Sequence, residues 1–203
     1  MKTVLVTAFE PFGGERINAS LEALSRVEAT ADTELTRLVL PCVFGLAAET
    51  ALEAVSREKP DAVVCLGQAA GRDAITPERR AVNLRKARIP DNAGNTPSDE
   101  SIVAGAAEEL FSTLPIEAMC DAITACGIPA RISESAGTFV CNDLMYGLLS
   151  GLRQRGIQIP AGFVHVPCLP GQAEEGSPSM PLSEIVVGLN AALAALEAAF
   201  DGA

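Results

Sequence analysis

The chain has 203 residues, of which 48% are hydrophobic and 20% are charged, and its 15 basic and 26 acidic residues give a net charge of −11. This length and apolar content predict one domain, residues 1–203, that buries a core without disulfides or structural zinc, and they exclude a disordered protein. The acidic charge and the absence of a basic stretch exclude a nucleic-acid partner and argue against binding to an anionic membrane.

Short apolar runs alternate with helical stretches along the chain. Strands are predicted at residues 3–8, 35–43, 62–66, 79–83, 130–133 and 162–166. Helices are predicted at residues 18–27, 46–57, 116–125, 141–155 and 181–200. Residues 89–100, dense in Pro, Gly, Asn and Asp, are predicted to form a long surface loop. The alternation predicts an α/β fold with a mostly parallel sheet covered on both faces, and such sheets bind ligands at the carboxyl ends of their strands.

The compartment and the redox state follow from the N-terminus and from the cysteines. The apolar run at residues 4–9 is short for a signal peptide, and no run approaches the roughly 20 apolar residues that span a bilayer. These features predict a cytoplasmic protein with reduced thiols. The six cysteines contain no CxxC pair and the chain has one histidine, which argues against a zinc site and against a thioredoxin-type protein.

Two residues are candidates for nucleophilic catalysis. His165 ends an apolar strand, and as the only histidine it is the sole candidate for an imidazole base; the alternative is a buried structural histidine. Cys141 lies where an apolar segment turns into a predicted helix, whose free N–H groups favour a thiolate and can hold an oxyanion. The alternative is that Cys141 is a core residue like the other five cysteines. Glu78 is one candidate for the acid that orients the imidazole, but residue patterns alone do not select it among 26 acids.

The loop after the first strand contains two of the eight aromatic residues, Phe9 and Phe12. They are candidates for a ligand contact, and the alternative is that they anchor the loop to the core. Gly13 and Gly14 follow, but the GxGxxG spacing is absent, so a phosphate loop is rejected.

Six blocks of the sequence together resemble the pyroglutamyl peptidase I family, also called pyrrolidone-carboxylate peptidases. They are FEPFGG with the following Asn18-Ala19-Ser20, LGQAAGR, ITPERRAVN, ARIPDNAGN, AGTFVCNDLMYGLL and GFVHVP. The resemblance covers nearly the whole chain, and the blocks occur in the family's order and spacing. It implies a cysteine peptidase that removes an N-terminal pyroglutamyl residue. It also implies a single open α/β/α sandwich, often assembled as a tetramer, with no metal and no organic cofactor.

The resemblance also implies roles for individual residues. The nucleophile falls on Cys141, the base on His165 and the orienting carboxylate on Glu78. The arginine near the oxyanion falls on Arg88, the aromatic contacts of the substrate ring on Phe9 and Phe12, and the polar lactam contact on Gln68.

The sequence also departs from the family at Ala8, where a glycine is common, and at Cys168, where a bulkier residue is frequent. These departures concern the shape of the pocket. Two other classes stay open: a catalytically silent binding protein for pyroglutamyl peptides, and a thiol redox protein. A homo-oligomer, tetramer or dimer, is expected, and movement of the loop at residues 89–100 stays open.

Overall fold

The computed structural model describes residues 1–200. Its strands are β1 (Lys2–Phe9), β2 (Thr33–Leu40), β3 (Ala62–Gln68), β4 (Thr76–Pro77), β5 (Arg80–Val82), β6 (Glu109–Phe111) and β7 (Ala161–Val166). The main sheet has the order β2-β1-β3-β7-β4, and all neighbours are parallel except β4, which is antiparallel to β7. β5 and β6 form a separate antiparallel pair. The predicted α/β fold with a mostly parallel sheet is confirmed.

Helices cover both faces of the main sheet. They are α1 (Ala19–Leu24), α2 (Leu46–Glu58), α3 (Ile116–Ala125), α4 (Val140–Gln154) and α5 (Leu182–Phe200). α1, α3 and α5 pack into one hydrophobic cluster with alternate sheet residues such as Val64 and Leu66. α2 and α4 pack into a second cluster with the intervening residues, such as Val63 and Cys65. The two clusters arise because successive strand side chains point to opposite faces.

The predicted elements and the structure differ in several places. α1 ends at Leu24 rather than at residue 27, because Ser25 caps it and the chain continues as a turn. The strand predicted at 130–133 is reduced to two isolated bridges, Ile75 with Ala130 and Glu78 with Ser133. The two-residue β4 and the three-residue β6 were not predicted, since runs this short carry no periodicity.

α5 changes one expectation about membranes. It has 19 residues and a mean hydropathy of 1.5, so by length and composition alone it is long and apolar enough to cross a membrane, although its sequence includes Ser183, Glu184, Asn190 and Glu197. Its inward face is formed by Ile185, Leu189, Leu193 and Leu196, which are buried in the first cluster. The helix therefore contributes its largest side chains to the core of this fold.

Candidate active site

The only histidine lies at the carboxyl end of the sheet. His165 is the fifth residue of β7 and pairs with Gly67 of the parallel strand β3. Only 3% of His165 is exposed. The position agrees with the rule that α/β sheets bind their ligands at the carboxyl ends of the strands.

The Cys141 side chain lies against the Gly67 backbone. Cys141 is the second residue of α4 and is 9% exposed. A Cβ atom built on Gly67 would lie 3.2 Å from Cys141 Sγ and 2.6 Å from the Phe163 ring, which is too close for any side chain. Gly67 is therefore the point at which the helix of the cysteine meets the strand pair of the histidine. This glycine belongs to the LGQAAGR block, but only the long-range contact shows why the position needs a residue without a side chain.

The first turn of α4 is held by two buried polar side chains. Asn142 accepts a hydrogen bond from the Val82 N–H (2.8 Å) and donates to the Val82 and Leu84 carbonyls. Asp143 accepts from the Gly45 N–H (2.6 Å) and from the Arg85 guanidinium. Phe139, the N-cap residue, makes no side-chain capping bond, so the N–H groups beside Cys141 have no side-chain cap. These contacts fix the helix start that carries the cysteine.

Glu78 is the acid that the fold brings to His165. β4 pairs with β7 in a register that aligns Thr76 with His165, and Glu78 follows β4 directly. Glu78 is 0% exposed, and its Oε1 lies 2.7 Å from His165 Nδ1. Because an ionised carboxylate can only accept, Nδ1 carries the hydrogen and Nε2 is left to exchange a proton. The structure thus selects one acid where the residue pattern left 26 open.

The ionisation of this pair is set by burial and by charge. Burial raises the pKa of Glu78, but the hydrogen bond and charge of His165, the neighbouring Ser133 hydroxyl and the Arg72 charge outweigh it, so the pKa lies below its ordinary value. Burial lowers the pKa of His165, and the Arg72 charge acts in the same direction, while Glu78 opposes both. The site therefore holds an ionised Glu78 beside a neutral His165 at neutral pH.

The net shift in the pKa of the Cys141 thiol is opposite to the effect expected of the helix alone. Burial raises the pKa of the Cys141 thiol, Cys42 and Glu78 raise it further, and the lowering contributions from Arg72 and the backbone are smaller. The helix N-terminus is present as predicted, but loss of water around the sulfur dominates. The resting side chain is therefore a neutral thiol that needs a base.

Aromatic rings line the neighbourhood of the cysteine. Phe9 is buried and lies 6.3 Å from the Phe163 ring, so it belongs to the second cluster. Phe12 is half-buried on the loop after β1, 6.0 Å from Phe139, and Phe139 packs edge-on against Phe44 at 5.2 Å. Sequence reasoning missed Phe44 and Phe139, although Phe139 stands two residues before Cys141.

Arg88 lies on the long loop, which packs over the loop after β1. The loop is fastened by Asn92, whose amide donates to Glu10 Oε1 (2.8 Å) and to the Pro11 carbonyl (2.9 Å). Ile89 approaches Gly13, with 3.4 Å between its Cδ1 and a Cβ built on the glycine. Arg88 itself is exposed, and within residues 1–200 it has no hydrogen bond or ion pair. The structure therefore does not bring Arg88 into contact with the other candidates.

The Gln68 side chain is directed away from the cysteine. Its Oε1 accepts hydrogen bonds from the Ala19 N–H (2.7 Å) and from Gln172 Nε2 (2.9 Å). It follows Val64 and Leu66 on the face of the first cluster. Only the backbone of Gln68, next to Gly67, is close to the face of the sheet on which Cys141 and His165 lie.

The two departures from the family lie away from the reacting groups. Ala8 is buried in the first cluster, on the opposite face of the sheet from Cys141. Cys168 is buried beside a pocket of about 400 Å³ that Gln68 and Gln172 also line. All six cysteines are free. In the part of the chain that the structure describes, no three His, Cys, Asp or Glu residues form a possible metal site.

Comparison with known proteins places the chain. The sequence profile described as "Pyroglutamyl peptidase" matches residues 2–199. The pyrrolidone-carboxylate peptidase of Erwinia tasmaniensis is 49% identical over 197 residues, covering 95% of this chain and 92% of that protein. A pyrrolidone-carboxylate peptidase of Vibrio vulnificus is 50% identical over 192 residues, covering 93% of this chain and 90% of that protein.

Solved structures agree with the sequence relatives. Pyroglutamyl peptidase I of Bacillus amyloliquefaciens superposes with a TM-score of 0.93 at 42% identity, covering 98% of each chain. The pyrrolidone carboxyl peptidase of Thermococcus litoralis superposes with a TM-score of 0.93 at 35% identity, covering 100% of this chain and 96% of that one. The chain therefore belongs to the pyroglutamyl peptidase family.

Proposed function

We propose that this protein is a cysteine peptidase that hydrolyses the amide bond after an N-terminal pyroglutamyl residue of peptides. The family membership and the shared fold support the activity. One observation assigns this activity to named residues. Cys141 and His165 both lie next to Gly67, and Glu78 is hydrogen-bonded to the imidazole. The catalytic domain spans residues 1–203.

The reaction begins with proton transfer from the neutral thiol. His165 Nε2 takes the proton of Cys141 as Sγ attacks the pyroglutamyl carbonyl carbon, which gives a tetrahedral oxyanion. The N–H groups at the start of α4 and the cation of Arg88 stabilise that oxyanion. Glu78, held ionised beside Nδ1, stabilises the imidazolium that forms.

The second half of the reaction releases both products. The His165 imidazolium returns its proton to the leaving amine as the C–N bond breaks, which leaves a pyroglutamyl thioester on Cys141. Water, deprotonated by Nε2, then attacks the thioester. Pyroglutamate leaves, and the proton returns to Sγ. All of these steps use side chains of this chain.

Recognition rests on the substrate being a small neutral lactam. Pyroglutamate has no α-ammonium group, so an apolar slot beside Phe12 and Phe139 can accept it, whereas a charged N-terminus would cost several kcal/mol to bury unpaired. Phe9 supports this slot from the core side. The lactam N–H and C=O pair with the Gln68 backbone, and a site built for these groups penalises proline, which lacks the carbonyl.

The proposal also includes a setting. A homo-oligomer, tetramer or dimer, and a cytoplasmic location are proposed from the family resemblance and from the six free cysteines. Size-exclusion chromatography with light scattering measures the assembly, and a monomer at micromolar concentration would contradict it.

The decisive experiment is hydrolysis of a pyroglutamyl-coumarin amide. Cys141→Ala is expected to lose at least about 10⁴-fold in kcat, because the nucleophile is absent. Cys126→Ala is the matched control, since this exposed thiol lies at the end of α3 and its loss should leave the rate unchanged. Iodoacetamide should inactivate the wild type and the control alike.

Two outcomes would count against the proposal. Full activity in Cys141→Ala would contradict the mechanism. Binding of a pyroglutamyl peptide by the wild type without any turnover would instead indicate a binding protein on the same fold.

A further inference from the structure

The triad acid is held by very few contacts for a buried charge. Among residues 1–200, the Glu78 carboxylate accepts hydrogen bonds from two side chains, His165 and Arg72, and both bind Oε1. Its other oxygen, Oε2, is buried and has no hydrogen-bond partner there. A buried carboxylate needs paired charge to stay ionised. The contact from Arg72 is therefore one of the few that fix this group.

Arg72 contacts three acceptors on two separate segments of the chain. Its Nη1 donates to Glu78 Oε1 at 2.7 Å and also to the Thr76 hydroxyl. Its Nη2 donates to the Ser135 carbonyl at 3.2 Å. Thr76 is paired with His165 across β4 and β7. Ser135 lies on the segment that leads to Phe139 and the start of α4, where Cys141 lies.

The Arg72 side chain is placed as a fixed group. It is 21% exposed, and its guanidinium is oriented by three acceptors, a geometry that the planar fork of arginine suits and a lysine ammonium does not reproduce. The preceding glycine, Gly71, has a φ of +79°, which turns the chain after β3 so that Arg72 follows the strand end closely.

We propose that Arg72 is a positioning residue of this site, which holds the Glu78 carboxylate against His165 and ties both to the segment that carries Cys141. The role rests on the proposed peptidase function. Arg72 acts through Glu78, so its loss should alter the chemical step and leave substrate binding in place.

The charged and titratable groups around the pair come from four elements. They are Arg72 after β3, Glu78 after β4, Cys141 on α4 and Cys42 after β2, together with His165 itself. Loss of Arg72 removes the positive charge that lowers the pKa of both Glu78 and His165. Both groups would then take up protons at a higher pH than in the wild type.

The test compares Arg72→Gln with Arg131→Gln on the pyroglutamyl-coumarin amide across pH. Arg131 forms an exposed ion pair with Asp73, next to Arg72, and does not contact Glu78. Arg72→Gln is expected to lower kcat about 10- to 100-fold, with KM within about twofold. The acid limb of its kcat/KM profile should move to higher pH. The control should match the wild type.

A purely structural role predicts a different result. A uniform loss of rate with an unmoved acid limb, or a kcat within about twofold of the wild type, would overturn the proposal. Arg72→Lys, which keeps the charge, covers the case in which the glutamine variant does not fold. It is expected to keep the wild-type acid limb at a reduced kcat. A full wild-type kcat would contradict the proposed positioning role of the arginine fork. An inactive wild type would instead refute the proposed function.

Discussion

The two sides of the site are built in different ways. On one side, His165 and Glu78 are placed by paired strands, and both side chains are almost completely buried. On the other side, Phe12 and Arg88 lie on loops, half-buried and exposed respectively. Strands hold side chains in fixed positions, whereas loops adapt to a ligand. We therefore expect changes at His165 or Glu78 to act on the chemical step and changes at Phe12 to act on substrate recognition.

Between the two sides, the larger effect is expected from the strand side, in Glu78→Gln. The glutamine amide can donate to Nδ1, which forces the wrong tautomer and removes the charge that stabilises the imidazolium. We expect kcat to fall about 10²- to 10⁴-fold while some rate remains.

Steady-state kinetics with Glu117→Gln, an exposed acid on α3, serves as the control for that change. A wild-type rate in Glu78→Gln would remove this residue from the triad. It would also break the assignment of chemistry to the strand side.

A smaller and different effect is expected from the loop side, in Phe12→Ala. Loss of the ring opens the slot beside Phe139, so KM should rise about 10-fold while kcat changes little. Phe111→Ala, an exposed aromatic on β6, is the matched control. If kcat fell with an unchanged KM, Phe12 would belong with the chemistry and the division between the two sides would fail.

The smallest effect is a dependence of stability on pH between pH 7 and pH 5, to which His165 is expected to contribute. The pKa of His165 is lowered in the folded state, so the unfolded chain takes up its proton first as pH falls below about 6.5. The free energy of unfolding should therefore decrease as pH falls through that value, by at most about 1.4 kcal/mol per pH unit. Glu78, with a lowered pKa, loses its contribution in a separate and more acidic window.

Urea unfolding between pH 7 and pH 5 measures this slope. The chain has one histidine, so His165→Gln should flatten the slope in that range. An equal slope in the variant would show that the dependence comes from elsewhere, and the buried pair would then not differ from the exposed loop side in this respect.

The parts of the fold that the sequence predicted are those with a local signal. The periodicity of α5 and the β-branched run of β1 indicate their structures without any partner, and both are present. Glu78 was reached only through the family resemblance, because β4 is two residues long and its pairing with β7 is a long-range contact. Gly67 and Arg72 belong to the LGQAAGR block, but the sequence indicates no role for either. Their contacts, with Cys141 and Glu78 respectively, appear only in the folded chain.

The direction of the shift in the Cys141 pKa shows most clearly what local sequence patterns cannot predict. The helix N-terminus could be read from the sequence, and it does favour a thiolate. The burial that outweighs it depends on β3, Phe163 and the second cluster, which assemble from distant segments. Local patterns therefore indicated Cys141 as a candidate nucleophile but could not give its resting state.

Gly67 limits which substitutions this site can accept. Any larger residue at this position first meets the Phe163 ring, and then the sulfur of Cys141. A smaller residue at 163 would have to arise before position 67 could accept a side chain, so the order of two substitutions is dictated by geometry. Variation in substrate preference is expected to accumulate instead among the loop residues, where no such order is imposed.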